Sequence, residues 1–519
     1  MNSHSADVIV VGAGHNGLVA AATLARAGLS VTVLEDKDVI GGACRTEKPF
    51  RTAPDLGVST GAYLLGLMPP EILRELDIEL PLLRRDPHYF LPTTGSRYVL
   101  FGSDAAATRA QIASFFSEQD ARAAAALDGE LEQLRSDVAP CWLAEPLSIE
   151  ETAARYLRPA LREVFIALCR RPVPEYLDRF GFRSDLLRVM YAVTDGFSGL
   201  SAGWDSPGTG MNFLVHNMCR LPGAGGTWMI VHGGMGTVTR TIADAALRAG
   251  ARIETGRRAS SLDYQGGAVR GVVLADGERW RARRIVFATD PWRMAAVIGD
   301  DARGAALRSR LGELRRGGMT LKVNLCFDAL PVFRCLPEDR GQFRTTIHLL
   351  PEENPIAAMR RAFADASAGR LPEFPAIEWY TDTVVDAGRR GSGGHHSGAL
   401  FVQWVPHELA GGRSWDDALD GYVRHLLSIC DRFAPGTSER VVETLALSPP
   451  GIERYFGITG GHIHHVDNSF GFADRLPYRS GIPGVYAAGA GCHPAGSVIG
   501  AAGRNAARAL LCDDGRPSA

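Results

Sequence analysis

At 519 residues, 45% of them apolar and 22% charged, the chain has the composition of a globular protein long enough for two interleaved domains. Its formal net charge of −2 supplies no electrostatic case for nucleic acid or an anionic membrane surface as partner. The nine cysteines are scattered without CxxC or metal-ligand spacing, which reads as reduced, mostly buried thiols and leaves no metal site to expect. Basic charge is almost all arginine; Lys37, Lys48 and Lys322 are the only lysines, a skew that carries no binding inference.

In chain order, Met1 to Ala6 is too short and polar for a signal peptide. No stretch reaches the ~18 uninterrupted apolar residues of a spanning helix. A cytoplasmic location is expected, with peripheral membrane contact left open. Asp7-Val-Ile-Val-Val11 then reads as a buried strand running into Gly12-Ala-Gly-His-Asn-Gly17. Gly12 permits the tight turn, Gly14 a close backbone approach to a pyrophosphate, and Gly17 close packing of the following helix. That helix, Leu18 to Ala27, points its free N–H groups at the phosphates, with His15 and Asn16 at its start. The next strand, Ser30 to Leu34, closes on Glu35, where a carboxylate can accept ribose hydroxyl hydrogen bonds. The pair Gly41-Gly42 and Arg45 suit an extended dinucleotide, the arginine as a phosphate partner, and so favour FAD over NAD.

Residues 61 to 210 read as mainly helical: Ala105 to Ala139, Ile149 to Arg170 and Arg183 to Val193 carry Ala, Leu, Glu and Arg at helical spacing. Tyr191, Phe197, Trp204 and Phe213 lie among glycines in a stretch suited to gating a tunnel. Leu214 to Gly226 reads as a crossover loop. Gly233-Gly-Met-Gly236 opens a helix to Ala249, followed by a strand near Ala251 to Glu254; no acid at the right spacing follows, so a second nucleotide site is rejected. Val269 to Leu274, Asp276-Gly277 and Glu278 to Ala282 form a hairpin signal. Arg284 to Thr289 is a further buried strand. Leu321 to Phe327, Thr345 to Leu350, Ile377 to Tyr380 and Ala399 to Val405 suggest an antiparallel sheet. Trp379, Tyr380 and Trp404 on it would fill a core or line an apolar pocket. Arg389 to His396 reads as a loop and Asp416 to Arg432 as a helix. Gly484-Val-Tyr-Ala-Ala-Gly-Ala-Gly491 and Gly496-Ser-Val-Ile-Gly-Ala-Ala-Gly503 then lead into a helix, Ala501 to Leu511.

Gly12 to Glu35, Gly41-Gly42 and the C-terminal glycine segment resemble the glutathione-reductase-type FAD fold in its flavin amine oxidase and phytoene desaturase branch. Gly460-Gly-His-Ile-His-His-Val-Asp467 and Gly489-Ala-Gly-Cys-His-Pro494 bring the chain nearest to phytoene-dehydrogenase-like proteins and the pyridine nucleotide-disulphide oxidoreductase domain-containing group. The paired redox cysteines that such a group name suggests are missing. The resemblance implies an α/β class: an FAD-binding Rossmann-like domain from residues 1–60, 211–300 and 455–512, interleaved with an α+β substrate domain from 61–210 and 301–454, and a tail from 513 to 519. It also implies FAD contacts at Ala259 and Thr289, at Gly489, Ala490 and Gly491, and at Val498 and Ile499, where the C-terminal helix would aim its N–H groups at the flavin pyrimidine.

Two residues are singled out for chemistry. Lys322 resembles the lysine that reaches flavin N5 through a water in many flavin amine oxidases; its plainer reading is an edge-strand lysine with its head in solvent. His465 would serve as acid or base beside the hydride site, or else hydrogen-bond a loop or the phosphates. The expected activity is FAD-dependent dehydrogenation (desaturation) of an apolar, unsaturated small molecule, with oxygen, a quinone or another carrier as acceptor, since no separate NAD(P) domain is evident. Amine oxidation, redox-neutral polyene isomerisation and a non-catalytic FAD-binding interaction protein are the alternatives; the aliphatic Ser497-Val-Ile499 counts against the first. A homodimer is left open.

Overall fold

The structure, a computed structural model, describes residues 4–300 and 302–516; the remaining residues, with part of the short polar start and of the tail expected from 513, lie outside the described residues. A five-stranded parallel sheet runs in the order Val485–Ala487, Arg284–Phe287, Val8–Val11, Val31–Leu34, Arg252–Glu254. All four residues of Val8–Val11 are buried, as a β-branched strand covered on both faces should be. Helix His15–Arg26 packs against both Gly236–Arg248 and the C-terminal helix Ala501–Asp513. Small residues make that contact close: Ala20, Ala21 and Ala22 are fully buried, and a Cβ at Gly503 would lie 1.9 Å from Asn16 O. The C-terminal helix extends to Asp513, past the expected end at Leu511. Strands Ala259–Gln265, Ala268–Leu274 and Arg279–Arg281 form a small antiparallel sheet with the expected Asp276-Gly277 turn.

A second, seven-stranded sheet is ordered Val441–Leu447, Thr320–Phe327, His396–Gln403, Ala376–Tyr380, Thr346–Leu349, Tyr89–Pro92, Tyr98–Phe101. Neighbours are antiparallel except Thr346–Leu349 beside Tyr89–Pro92. The expectation of a mainly helical 61–210 is corrected here, because Tyr89–Pro92 and Tyr98–Phe101 are strands of this sheet. They are four residues each, too short for alternation to outweigh the helical runs around them. One face of the sheet carries Leu321, Val323, Trp379, Leu400 and Val402 into a core shared with helix Trp415–Phe433. Trp379 and Trp404 fill cores, so the pocket-lining alternative for these two is set aside.

The expected helix over Ala105 to Ala139 is two, Ala105–Phe115 and Glu118–Val138, because Ser117 caps the second by accepting from the Asp120 N–H. Glu118–Val138 buries Leu127, Leu131, Leu134 and Val138, a stripe at helical spacing. Helix Asp185–Tyr191 passes into a wider π-type turn, Ala192–Phe197. Leu214 to His216, expected in a loop, ends the buried helix Thr209–His216, which packs on Arg162–Arg170. Among the described residues, no helix is long and apolar enough to cross a membrane.

Candidate functional site

Gly12 leaves the first strand at φ +105° and turns the chain into helix His15–Arg26, whose N-cap, Gly14, offers no side chain. The first-turn N–H groups therefore remain open to an anion. A Cβ at Gly14 would meet nothing within 4 Å, so its backbone faces open space, whereas one at Gly17 would lie 2.0 Å from Gly12 O. The Gly41 N–H donates to Ala13 O at 2.9 Å, which fastens the glycine pair to the first loop. Glu35 accepts from the Ala13 N–H at 2.8 Å and the Lys37 N–H at 3.0 Å, and burial raises its pKa. His15 Nε2 and Asn16 Oδ1 are buried without a partner among the described residues. Burial also lowers the His15 pKa to about 4, leaving a neutral ring. An uncapped helix start, a backbone exposed at glycine and two orphaned polar atoms are what a dinucleotide would satisfy.

One cavity of about 920 Å³ begins at this cradle. Gly12, Gly14, His15, Asn16, Glu35, Gly41, Gly42, Ala259, Thr289, Ala490 and Val498 lie on its wall, as do Lys322 and His465. Gly17, Gly489, Gly491 and Ile499 stand behind it. Gly489 and Gly491 are there for packing, since a Cβ would lie 2.5 Å from Thr289 O and 2.6 Å from Pro291 Cγ respectively. Arg45 is also off the wall: its guanidinium stacks 5.0 Å from Tyr455 and 5.1 Å from Phe456, with Nε 3.0 Å from Glu47. The arginines on the wall are Arg257, Arg258, Arg293 and Arg454, which motif reading did not single out.

The cavity continues into a chamber against the second sheet. Thr320–Phe327 lies between two other strands, so the edge-strand reading of Lys322 is corrected; the residue is 4% exposed. Its Nζ donates to Gly61 O at 2.8 Å and sits 4.4 Å and 4.9 Å from the rings of Tyr63 and Tyr380. Those rings stack at 3.7 Å. Burial lowers the Lys322 pKa to about 7. Cross-strand register aligns Lys322 with Phe401 and Phe401 with Glu378, which puts all three in one row facing the chamber. Glu378 accepts from the Tyr63 hydroxyl at 2.9 Å, and burial raises its pKa to about 8. Opposite, the π-type turn places Thr194 and Asp195 on the wall, a common use of such turns. Asp195 accepts from Asn217 Nδ2 at 3.0 Å, lies 3.8 Å from His216 Nδ1, and is raised to about 7 by burial.

His465, at φ +60°, is not in this chamber group. Its Nδ1 lies 3.8 Å from Asp290 Oδ2, and its charge is felt at His15, so it stands by the cradle. His464 takes the chamber side, 3.0 Å from Ser198 O. Sequence reading missed Glu378, Asp195, Tyr63 and His216. The one available signal was a carboxylate inside the apolar strand Ala-Ile-Glu-Trp-Tyr380; Thr194-Asp195-Gly196 reads as an ordinary turn. No cluster among the described residues has metal-ligand geometry.

The fold and the cradle define an FAD-dependent oxidoreductase. The chain belongs to the flavin containing amine oxidoreductase family, whose model matches residues 17–354. It is 32% identical to the pyridine nucleotide-disulfide oxidoreductase domain-containing protein 2 of Mus musculus, over 98% of this chain and 93% of that one. It is 26% identical to the hydroxyneurosporene desaturase of Cereibacter sphaeroides, over 98% and 97%. A putrescine oxidase structure with bound putrescine shares the fold at TM-score 0.59 and 16% identity, over 98% and 99%. The "disulfide" in the mouse protein's name has no counterpart among the described residues, where all nine cysteines are free and eight are buried.

Proposed function

We propose that the chain is a dehydrogenase of the desaturase type, acting on a small, largely apolar, unsaturated molecule held in the chamber beside Lys322. The observation that supports the reading is one continuous cavity running from the Gly12–Gly17 cradle to the Lys322 chamber, in which cofactor and substrate would lie side by side. FAD, when bound, supplies the acceptor for a hydride and its two electrons. The residues proposed to hold it are Gly12, Gly14, His15, Asn16, Glu35, Gly41, Gly42, Ala259, Thr289, Ala490 and Val498.

The chain's own groups supply position and proton management. Lys322, drawn to a pKa of about 7, can hold or release a proton at Nζ near neutral pH. The Glu378–Tyr63 pair can exchange one at the carboxyl. Phe401, Ile463, Leu64 and Trp228 supply the apolar part of the wall. The relative from Cereibacter, by its name a hydroxyneurosporene desaturase, supports desaturation. Oxygen, a quinone or a carrier protein is proposed as final acceptor. The two sheets support a division into an FAD domain and a substrate domain along the expected boundaries, with helix Thr209–His216 counted with the latter. Free, mostly buried thiols support a reducing compartment such as the cytoplasm.

The test is the anaerobic flavin spectrum. Bleaching on addition of a polyene supports the reading. Bleaching by amines alone replaces it with amine oxidation. A bound flavin that neither reduces favours isomerisation or a non-catalytic role.

A further inference from the structure

The chamber is not the wall a plain hydrocarbon would select. Glu378 and Asp195 reach it from two separate elements, the Ala376–Tyr380 strand and the Ala192–Phe197 turn. Each has one oxygen satisfied: Glu378 by the Tyr63 hydroxyl, Asp195 by Asn217. Among the described residues no protein group hydrogen-bonds the other oxygen of either, nor the hydroxyl of Tyr89 on the same wall. Among the described residues neither carboxyl pairs with lysine or arginine; the 3.8 Å neighbour of Asp195 is His216, whose ring burial keeps neutral. A hydrocarbon seated here would strip these groups of water and return nothing.

A cationic head is disfavoured by what already stands there. Lys322 lies in the same row as Glu378. Arg85 is buried behind the wall, with Nε donating to Trp228 O at 3.1 Å, Nη1 to Thr346 Oγ1 at 2.8 Å, and Nη2 without a partner. It makes no ion pair among the described residues, so its charge is felt across the chamber. Burial and Asp195's charge favour the protonated form of Glu378, a hydrogen-bond donor.

We infer that the substrate carries a neutral oxygen function, a hydroxyl or carbonyl, which docks between Glu378, Asp195 and Tyr89 while its apolar body lies along Phe401 and Ile463. Glu378 and Asp195 are thereby specificity-determining residues. The inference rests on the dehydrogenase reading for what happens next, but the docking itself is measurable without turnover.

The experiment is calorimetric titration of the FAD-loaded protein with three ten-carbon probes that share a chain and differ in the head: myrcene (hydrocarbon), geraniol (alcohol) and geranylamine. Geraniol is expected to bind about tenfold more tightly than either of the others, the worth of one well-made hydrogen bond. Glu378→Leu should remove that preference without weakening myrcene, and Glu378→Gln, which still donates, should keep most of it. Should the leucine variant fail to load FAD, the three-probe comparison on the native protein decides alone. A geraniol preference below about threefold, geranylamine as the tightest probe, or no binding by any overturns the inference. Anaerobic flavin bleaching, read in parallel, separates the two ideas. Selective geraniol binding with no bleaching by any C–H donor leaves the docking site standing and removes the dehydrogenase. Bleaching by myrcene bound as tightly as geraniol does the reverse.

Discussion

The two ends of the cavity are built from different material. Around Gly12–Gly17 and Gly41-Gly42 the wall is mainly backbone: an uncapped helix start, N–H groups steered by Glu35, and glycines whose missing side chains leave room. Around Lys322 the wall is side chains, drawn from the 61–64 segment, the π-type turn and five strands of the second sheet. A backbone site binds a fixed shape through positions that tolerate almost no change. A side-chain chamber can be retuned one residue at a time while the fold stays. This difference matches a family in which cofactor and fold are shared and substrates differ.

The comparison is tested most severely at the glycines. Gly17→Ala forces a Cβ to 2.0 Å from Gly12 O and should destabilise the protein by roughly 3 kcal/mol or more, read as lost soluble yield and lowered Tm. Gly14→Ala meets only open space in the protein, so Tm without FAD should hold while FAD affinity falls about tenfold or more. Equal losses of apo stability in both variants would break the distinction between a packing glycine and a ligand-facing one.

In the chamber, Lys322→Met should leave FAD bound, by its visible absorbance, while stopped-flow rates of flavin reduction or reoxidation fall about 100-fold. Unchanged rates in both directions would make the lysine structural. A pH series reads the same residues thermodynamically. The folded pKa of Glu378 is raised from 4.5 to about 8 by burial, with Asp195 opposing and Arg85, Lys322 and the Tyr63 hydroxyl favouring its ionisation. Between those pH values the folded protein keeps a proton that the unfolded chain has released, so this group's contribution to stability falls as pH rises. Lys322, lowered from 10.5 to about 7, acts oppositely: the unfolded chain holds the extra proton, and stability rises across that window. Denaturation midpoints of Glu378→Gln and Lys322→Met against pH should each lose the matching slope.

The smallest effect is expected at His465. Standing by Asp290 and not with Lys322, it should tolerate alanine with turnover within about threefold and a modest loss of FAD affinity. A loss of about 100-fold in turnover with FAD still bound would instead restore it as acid or base.

How much of this was legible in the chain varies with the kind of contact. The strand Val8–Val11, the Gly12–Gly17 turn, Glu35 and the Gly41-Gly42 pair could all be placed because each requirement is local: a β-branched run, a glycine where a side chain would clash, an acid closing the next strand. The same locality does not reach the surroundings of Arg45, expected beside the glycine pair: Tyr455 and Phe456, some four hundred residues away, stack on its guanidinium. Lys322 could be flagged, but its burial depended on Val441–Leu447 pairing along its strand.

The sequence by itself therefore determined the cofactor, the parallel sheet that carries it and the family, since turn geometry and strand periodicity are written over a few adjacent residues. Only the tertiary structure decided which side chains share the chamber. Glu378 meets Lys322 through the register of three strands, and Asp195 faces them because a helix widens by one residue per turn. Those outcomes depend on the pairing of segments distant along the chain, which no local pattern records.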